Sequence, residues 1–215
     1  MRLIHPEPPQ HSAKPRQANV SPETFNAVTT IYRPSLAPKE PETIREWYDA
    51  LSKNYDELYG HEQGEKHRRV IETLGPREFE KFVDVGCGTG RLLELVSSRS
   101  RFALGIDISL QMLRKAKQRT GGIQIQFVRA DASHLPLRDH VSDGVASVSV
   151  AESGLDFAKQ LRELSRIAAE SAVLSMTVFD DKNRTCRDQL KEAGMELVGS
   201  WSDREELWTR RPNPS

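Results

Sequence analysis

The sequence predicts an α/β protein: a doubly wound, mostly parallel sheet with an antiparallel edge strand, preceded by N-terminal helices. Three observations predict it. From residue 82 onward, short apolar runs alternate with stretches of helical period, the pattern of a parallel sheet covered on both faces. The stretch "FVDVGCGTGRLLELV", residues 82–96, reads as strand, tight glycine turn and helix start. The chain closes with "MELVGSWSDREELWTRR", two strands around a polar turn at Ser202 to Arg204. Such a pair adds an antiparallel strand at one edge.

Residues 1–43 hold eight of the twelve prolines and little hydrophobic periodicity, so they read as a disordered Pro-rich extension. The domain proper spans 44–215, with 44–75 as helices placed to form a lid. The first helix is expected to start at Pro41 to Thr43, with proline suited to a first turn and Thr43 able to cap. Ile44, Trp47, Tyr48, Leu51, Tyr55 and Leu58 follow helical spacing, and Gly60 offers a stop. A second helix, Glu62 to Leu74, ends at Gly75-Pro76. "KHRR", residues 66–69, reads as a solvated helix face. Strands are expected at 82–85, 102–107, 124–129, 143–149 and 172–179. Helices are expected at 90–98, 109–119, 157–169 and 184–193.

Composition excludes several classes. Lysine plus arginine equals aspartate plus glutamate, 31 each, so no global basic field argues for nucleic acid. No apolar run is long enough to span a bilayer, and the N-terminus shows no signal-peptide h-region. Cys87 and Cys186 form neither a disulfide framework nor a zinc pattern. A reducing cytoplasm is the expected compartment, and no metal site is expected.

The glycine turn carries the chemistry. Its spacing, Gly86-x-Gly88-x-Gly90, is not the Gly-x-Gly-x-x-Gly of dinucleotide sites, and no Gly-Lys-Ser/Thr follows as in a Walker loop. Asp84, just inside the turn, repels a pyrophosphate and suits a cationic amine. Asp107 ends the second strand, where a carboxylate can accept from both ribose hydroxyls. Asp131 ends the third, where it can accept from an adenine amino group. Three acids at the ends of adjacent strands lie where open α/β sheets bind ligands.

The motifs "VDVGCGTG", "GIDIS", "QMLRKAK" and "ADASHLPLRDHVSDGV", in this order, resemble the class I S-adenosylmethionine-dependent methyltransferases. The likeness is greatest to the group that includes the quinone-biosynthesis C-methyltransferases, over about residues 44–179. The resemblance implies a Rossmann-like methyltransferase fold and S-adenosylmethionine as cofactor. It implies that Asp84 lies near the methionine ammonium and that Gly86, Gly88 and Gly90 let backbone approach the cofactor. Asp107 would bind ribose, Ile108 would pack on adenine, and Asp131 with the Ala132 amide would read its edge. Tyr55, in "NYDELYG", resembles a position covering the methionine end. Cys87, a small filler in the turn, and Met112 complete the expected cofactor-binding set.

The catalytic residues stay unassigned. After the fourth strand the chain reads "SVSVAESGLD", without the Asn/Asp-Pro-Pro-aromatic signature of amino-group methylation or a catalytic cysteine. Glu152 and Asp156 are nearby carboxylates, but the histidine that many relatives carry between them is missing. His134 and His140 read as loop surface residues. A second departure is "IAAESAVL" at 167–174, where relatives have Lys-Pro-Gly-Gly. It enters the fifth strand at its amino end, away from the cofactor. A small-molecule acceptor is the favoured reading. One alternative is tRNA or other RNA, approached through Arg129, Arg138, Arg162 and Arg166, with or without a small zinc-binding protein partner. The other is a non-enzymatic scaffold that only binds cofactor.

Overall fold

The computed structural model describes residues 40–121, 124–152, 156–179, 184–201 and 205–212. Residues 1–39 of the expected extension and the Ser202 to Arg204 turn therefore lie outside the described residues, whereas Pro41 to Thr43, expected to be disordered, belong to a helix. Two helices come first, α1 (Pro41–Leu51) and α2 (Tyr55–Leu74). The alternation follows: β1 (Phe79–Val85), α3 (Arg91–Val96), β2 (Ser100–Asp107), α4 (Leu110–Arg119), β3 (Ile125–Arg129), β4 (Ser142–Glu152), α5 (Phe157–Ile167), β5 (Ala168–Phe179), α6 (Arg184–Glu192), β6 (Glu196–Trp201) and β7 (Glu205–Arg210).

The seven strands form one sheet in the order β3-β2-β1-β4-β5-β7-β6. β1 to β5 pair in parallel, and β7 runs antiparallel to both β5 and β6. This is the expected mostly parallel sheet. The closing pair lies at one edge, with β7 inserted between β5 and the outermost β6. Their side chains reflect that order: Leu207 and Trp208 of β7 are buried, whereas Leu197 and Val198 of β6 are exposed.

Both faces are covered. Leu161, Leu164 and Ile167 of α5 and Leu190 of α6 pack with Val83, Val145 and Leu174 on one face. Val70 and Leu74 of α2 and Leu92, Leu93 and Val96 of α3 pack with Phe82, Ala103 and Ala146 on the other. The chain steps outward from β1 to β2 to β3, then returns to place β4 on the far side of β1. That reversal opens a crevice at the carboxyl ends of β1 and β4, where ligands of such sheets bind.

The N-terminal helices differ from expectation. The helix begins at Pro41, so Thr43 sits inside it and does not cap; Glu40 is the N-cap, with no side-chain capping bond. The break falls at Ser52 to Asn54, and α2 runs through Gly60. A Cβ on Gly60 would sit 2.5 Å from Arg91 Nη1, so this glycine marks a close approach to α3, not a stop. Gly75, with φ 68°, does end α2. The "KHRR" stretch is a second correction: Lys66 is only 2% exposed. Lys66, Val70 and Leu74 recur every four residues, which puts all three on the packed stripe. Neighbouring His67 is pushed down to a pKa of about 4 by burial and by nearby Arg91. Cys87 and Cys186 are both buried, and neither forms a disulfide. No helix among the described residues is long and apolar enough to cross a membrane.

Candidate active site

A cavity of about 460 Å³ opens at the carboxyl ends of β1, β2, β3 and β4. The glycine turn forms its floor. Gly86 and Gly88 have φ 76° and φ 50°, a region that costs a side-chain-bearing residue, and both line the cavity. The backbone amides of Gly86 and Cys87 donate to the Ile106 carbonyl at 2.7 and 3.0 Å, tying the turn to β2.

Asp107, at the end of β2, lines the cavity and is 8% exposed. Its Oδ2 accepts from the Gly88 amide and its Oδ1 from the Ser109 amide, each at 2.8 Å. Burial nevertheless pushes it up to a pKa of about 6, against the pull of those amides. Asp84 is 2% exposed, and burial, with Asp107 nearby, pushes it up to about 8. Asp131 lines the wall beyond β3, its Oδ1 accepting from the Ser133 amide at 2.8 Å and the Ser133 hydroxyl at 2.7 Å. Ala132, Ile108 and Met112 line the same stretch.

The lid helices close the other side. Ile44, Tyr48 and Tyr55 line the cavity, and the rings of Tyr48, Tyr55 and Tyr59 follow one another at a tilt, at centroid distances of 6.5 and 5.2 Å. Burial, and after it Tyr48, holds the Tyr55 phenol well above its ordinary pKa. Two aspartates pin this lid to the domain. Asp49 Oδ1 accepts from Ser109 Oγ at 2.5 Å and from the Gln111 amide at 3.1 Å. Asp56 accepts from Thr89 Oγ1 at 2.8 Å and pairs with Arg119 at 2.5 Å. Ser109 also caps α4 by accepting from the Met112 amide. The aromatic residues were legible in the sequence, but the pins were not, because their partners lie 33 to 63 residues away.

Tyr55, Gly86, Gly88, Asp107, Ile108, Met112, Asp131 and Ala132 all line the cavity; Asp84, Cys87 and Gly90, also expected there, are not among the lining residues. Asp84 lies one residue behind the lining Val85. Cys87 is buried, and its Sγ would be 2.8 Å from a Cβ on Gly105 of β2, so it fills the space under the turn. Gly90 caps α3, and a Cβ there would meet Ala116 Cβ at 2.9 Å, so it serves helix packing.

Asp156 lines the cavity in a left-handed conformation, φ 41°, whereas the Glu152 side chain lies outside the described residues. His134 and His140 are exposed and bond to Ser133 Oγ and the Ala168 carbonyl respectively, neither on the cavity wall. Of the four arginines considered for RNA, Arg166 is committed internally to Glu163, Asp139 and the Leu135 and Leu137 carbonyls. Val148, Ser149 and Val150 also line the cavity and were missed, because nothing local marks the end of β4 as irregular; Gln160 of α5 lines it too.

The match to a family model described as a methyltransferase domain covers residues 83–176. A demethylmenaquinone methyltransferase of Staphylococcus aureus is 31% identical over 135 residues, covering 59% of this chain and 56% of that protein. Among solved structures, a methyltransferase in complex with the Haloferax volcanii Trm112 methyltransferase activator superposes with TM-score 0.66 and 16% identity, over 77% of this chain and 98% of that one. The N-methyltransferase NodS from Bradyrhizobium japonicum, bound to S-adenosyl-L-homocysteine, superposes with TM-score 0.59 and 17% identity, over 70% and 87%. At such identities these structures speak for the fold. Residues 83–176 thus match a methyltransferase domain in sequence, and the sheet around them has the Rossmann-like fold of class I methyltransferases. The chain spans little more than half the length of the curated relatives it matches.

Proposed function

We propose that this chain transfers a methyl group from S-adenosylmethionine to a small-molecule acceptor. The observation that carries the reading is the charge of the cavity wall. Glu40, Asp107, Asp131 and Asp156 line it, and among the described lining residues there is no lysine, arginine or histidine. Such a wall repels a pyrophosphate or triphosphate and suits an ammonium and a sulfonium. The size also fits, since small-molecule pockets run from about 300 to 1,000 Å³. A Cβ on Gly88 would meet nothing within 4 Å, so bare backbone faces open space there.

In this reading Asp107 accepts from the ribose hydroxyls with the lone pairs that Gly88 and Ser109 leave. Asp131 offers Oδ2 to the adenine amino group, beside the Ala132 amide, while Ile108 and Met112 pack the ring. Asp84 balances the methionine ammonium, and Tyr55 covers that end. When bound, the cofactor supplies an electrophilic methyl carbon on a sulfonium. The chain's own part is to orient the reactants and exclude water, which the α1–α2 lid and the apolar Ile44, Val148 and Val150 do. Asp156 is the carboxylate on the wall nearest the β4 end; no general base is assigned. A reducing cytoplasm suits two cysteines that form no disulfide.

An RNA acceptor is the second reading. It draws on the structural neighbour solved with Trm112, and on Arg129, Arg138 and Arg162, which are exposed. Calorimetry with S-adenosylmethionine and with NAD tests the main reading. Binding of the first and none of the second is expected; the reverse would remove the whole assignment.

A further inference from the structure

The end of β4 does something a regular strand cannot. Val148, Ser149 and Val150 are consecutive, yet all three line the cavity, whereas strand side chains alternate between faces. The alternation breaks at Ser149, which is left-handed with φ 57°. Four residue steps along β4, Ser147 to Ala151, oppose only two along β5, Met176 to Val178. The kink also carries Val150 onto the glycine turn: a Cβ on Gly86 would lie 2.0 Å from Val150 Cγ2.

A buried polar network holds the kink. The Ser149 amide donates to Thr177 Oγ1 at 2.7 Å. Ser149 Oγ accepts from Gln63 Nε2 and from Lys66 Nζ, each at 3.1 Å, and donates to Glu205 Oε1 at 3.0 Å. Lys66 forms ion pairs with Glu205 and, at 2.6 Å, with Glu62. Lys66 and Glu205 are 2% and 3% exposed. The hydroxyl has two lone pairs and one hydrogen, and all three are used, so Ser149 has no hydrogen-bonding capacity left over for a ligand. An ion pair this deep is a poor device for stability alone, because desolvation offsets its attraction. Here it converges on one strained residue, and strain of this kind persists only where the surroundings over-determine it.

We propose that Gln63, Lys66 and Glu205 are positioning residues that act through Ser149. They fold Val148 and Val150 together into the wall where the methyl-bearing end of the cofactor meets its acceptor. The inference rests on the cofactor reading above. Gln63 and Lys66 belong to α2, whose first residue, Tyr55, lines the same cavity. Seating of the lid and shaping of the β4 wall are therefore one event.

The test separates positioning from stability. Lys66→Met leaves Glu205 buried and uncompensated, and it loses stability. The double variant Lys66→Met/Glu205→Leu removes both charges and regains much of the wild-type unfolding midpoint. It is nonetheless expected to bind S-adenosylhomocysteine about tenfold or more weakly by calorimetry, since small misplacements in a site carry costs of that order or larger. Ser149→Gly covers the case in which the double variant does not fold: glycine takes φ 57° freely, which offsets part of the cost of the lost buried hydrogen bonds, the hydroxyl anchor is gone, and the same loss of affinity is expected in a variant that still unfolds cooperatively. A folded double variant, or a Ser149→Gly variant, with wild-type affinity would overturn this inference alone. Wild-type protein that binds neither S-adenosylmethionine nor S-adenosylhomocysteine would overturn the cofactor reading and this inference with it.

Discussion

Asp84 and Asp107 keep their protons to higher pH than free aspartates do. Their pKa values of about 8 and about 6 stand above the ordinary 3.8 because burial disfavours the charged form. The sign for stability follows. In the ligand-free protein these two groups contribute stability that is full below the ordinary value and is lost as pH rises through about 6 and then about 8. A cation placed beside Asp84 reverses the preference, so binding at neutral pH expels a proton. Calorimetry at neutral pH in buffers of different ionisation enthalpy is expected to show that release, and affinity should climb between the two pKa values. Asp84→Asn should abolish the release, weaken binding, and raise the ligand-free unfolding midpoint at alkaline pH relative to wild type. Flat affinity with no proton release would place the ammonium elsewhere. At this scale the sequence was informative where a residue ends or closely follows a strand or forms the tight turn: Asp107, Asp131, Gly86 and Gly88 all reach the cavity. It was silent on Ser149 and put Lys66 on a solvated face, because the roles of both depend on Glu205, 56 residues beyond Ser149.

Glycines that look alike in sequence do different work in the elements that hold them. Gly60 reads locally as a helix stop, yet α2 passes through it, and what lies beside it is the end of the flexible Arg91 side chain. Gly60→Ala is therefore expected to be neutral or stabilising: the guanidinium swings aside and the helix gains about 1 kcal/mol of propensity. Gly90 has φ 79°, and its nearest neighbours are Ala116 Cβ at 2.9 Å and Ala116 Cα at 3.1 Å, which cannot move without shifting α4. Gly90→Ala should cost about 1–3 kcal/mol, from backbone strain and clash together. Urea unfolding of both variants checks the contrast, and equal losses would mean that Gly60 does break the helix. The strand–helix alternation was legible because each element is amphipathic over its own length. The α1–α2 break was not, because it is held by contacts such as Asp49 with Ser109 and Lys115 with the Lys53 carbonyl, which belong to the fold.

Across the whole molecule, charge bears on the choice of acceptor. The chain carries 31 basic and 31 acidic residues, the cavity wall is acidic, and Arg166 is spent on internal carboxylates and carbonyls. A protein that grips RNA unaided neutralises phosphates with lysines and arginines, and that term dominates its affinity and its salt dependence. The aromatic lid of Tyr48 and Tyr55 does not discriminate, since it can cover a flat apolar acceptor or stack a splayed base. The expected result is that this protein alone binds bulk tRNA no more tightly than about millimolar at physiological salt. A fluorescence-anisotropy titration at several salt concentrations measures it. Tight binding that falls steeply with salt would move the acceptor to RNA. Weak binding that becomes tight only when a small zinc-binding activator is added would assign the missing phosphate contacts to that partner. Weak binding in both conditions would favour the acidic, lidded cavity as the acceptor's site, and a cavity with no cation among its described lining residues selects for a neutral or positively charged small molecule.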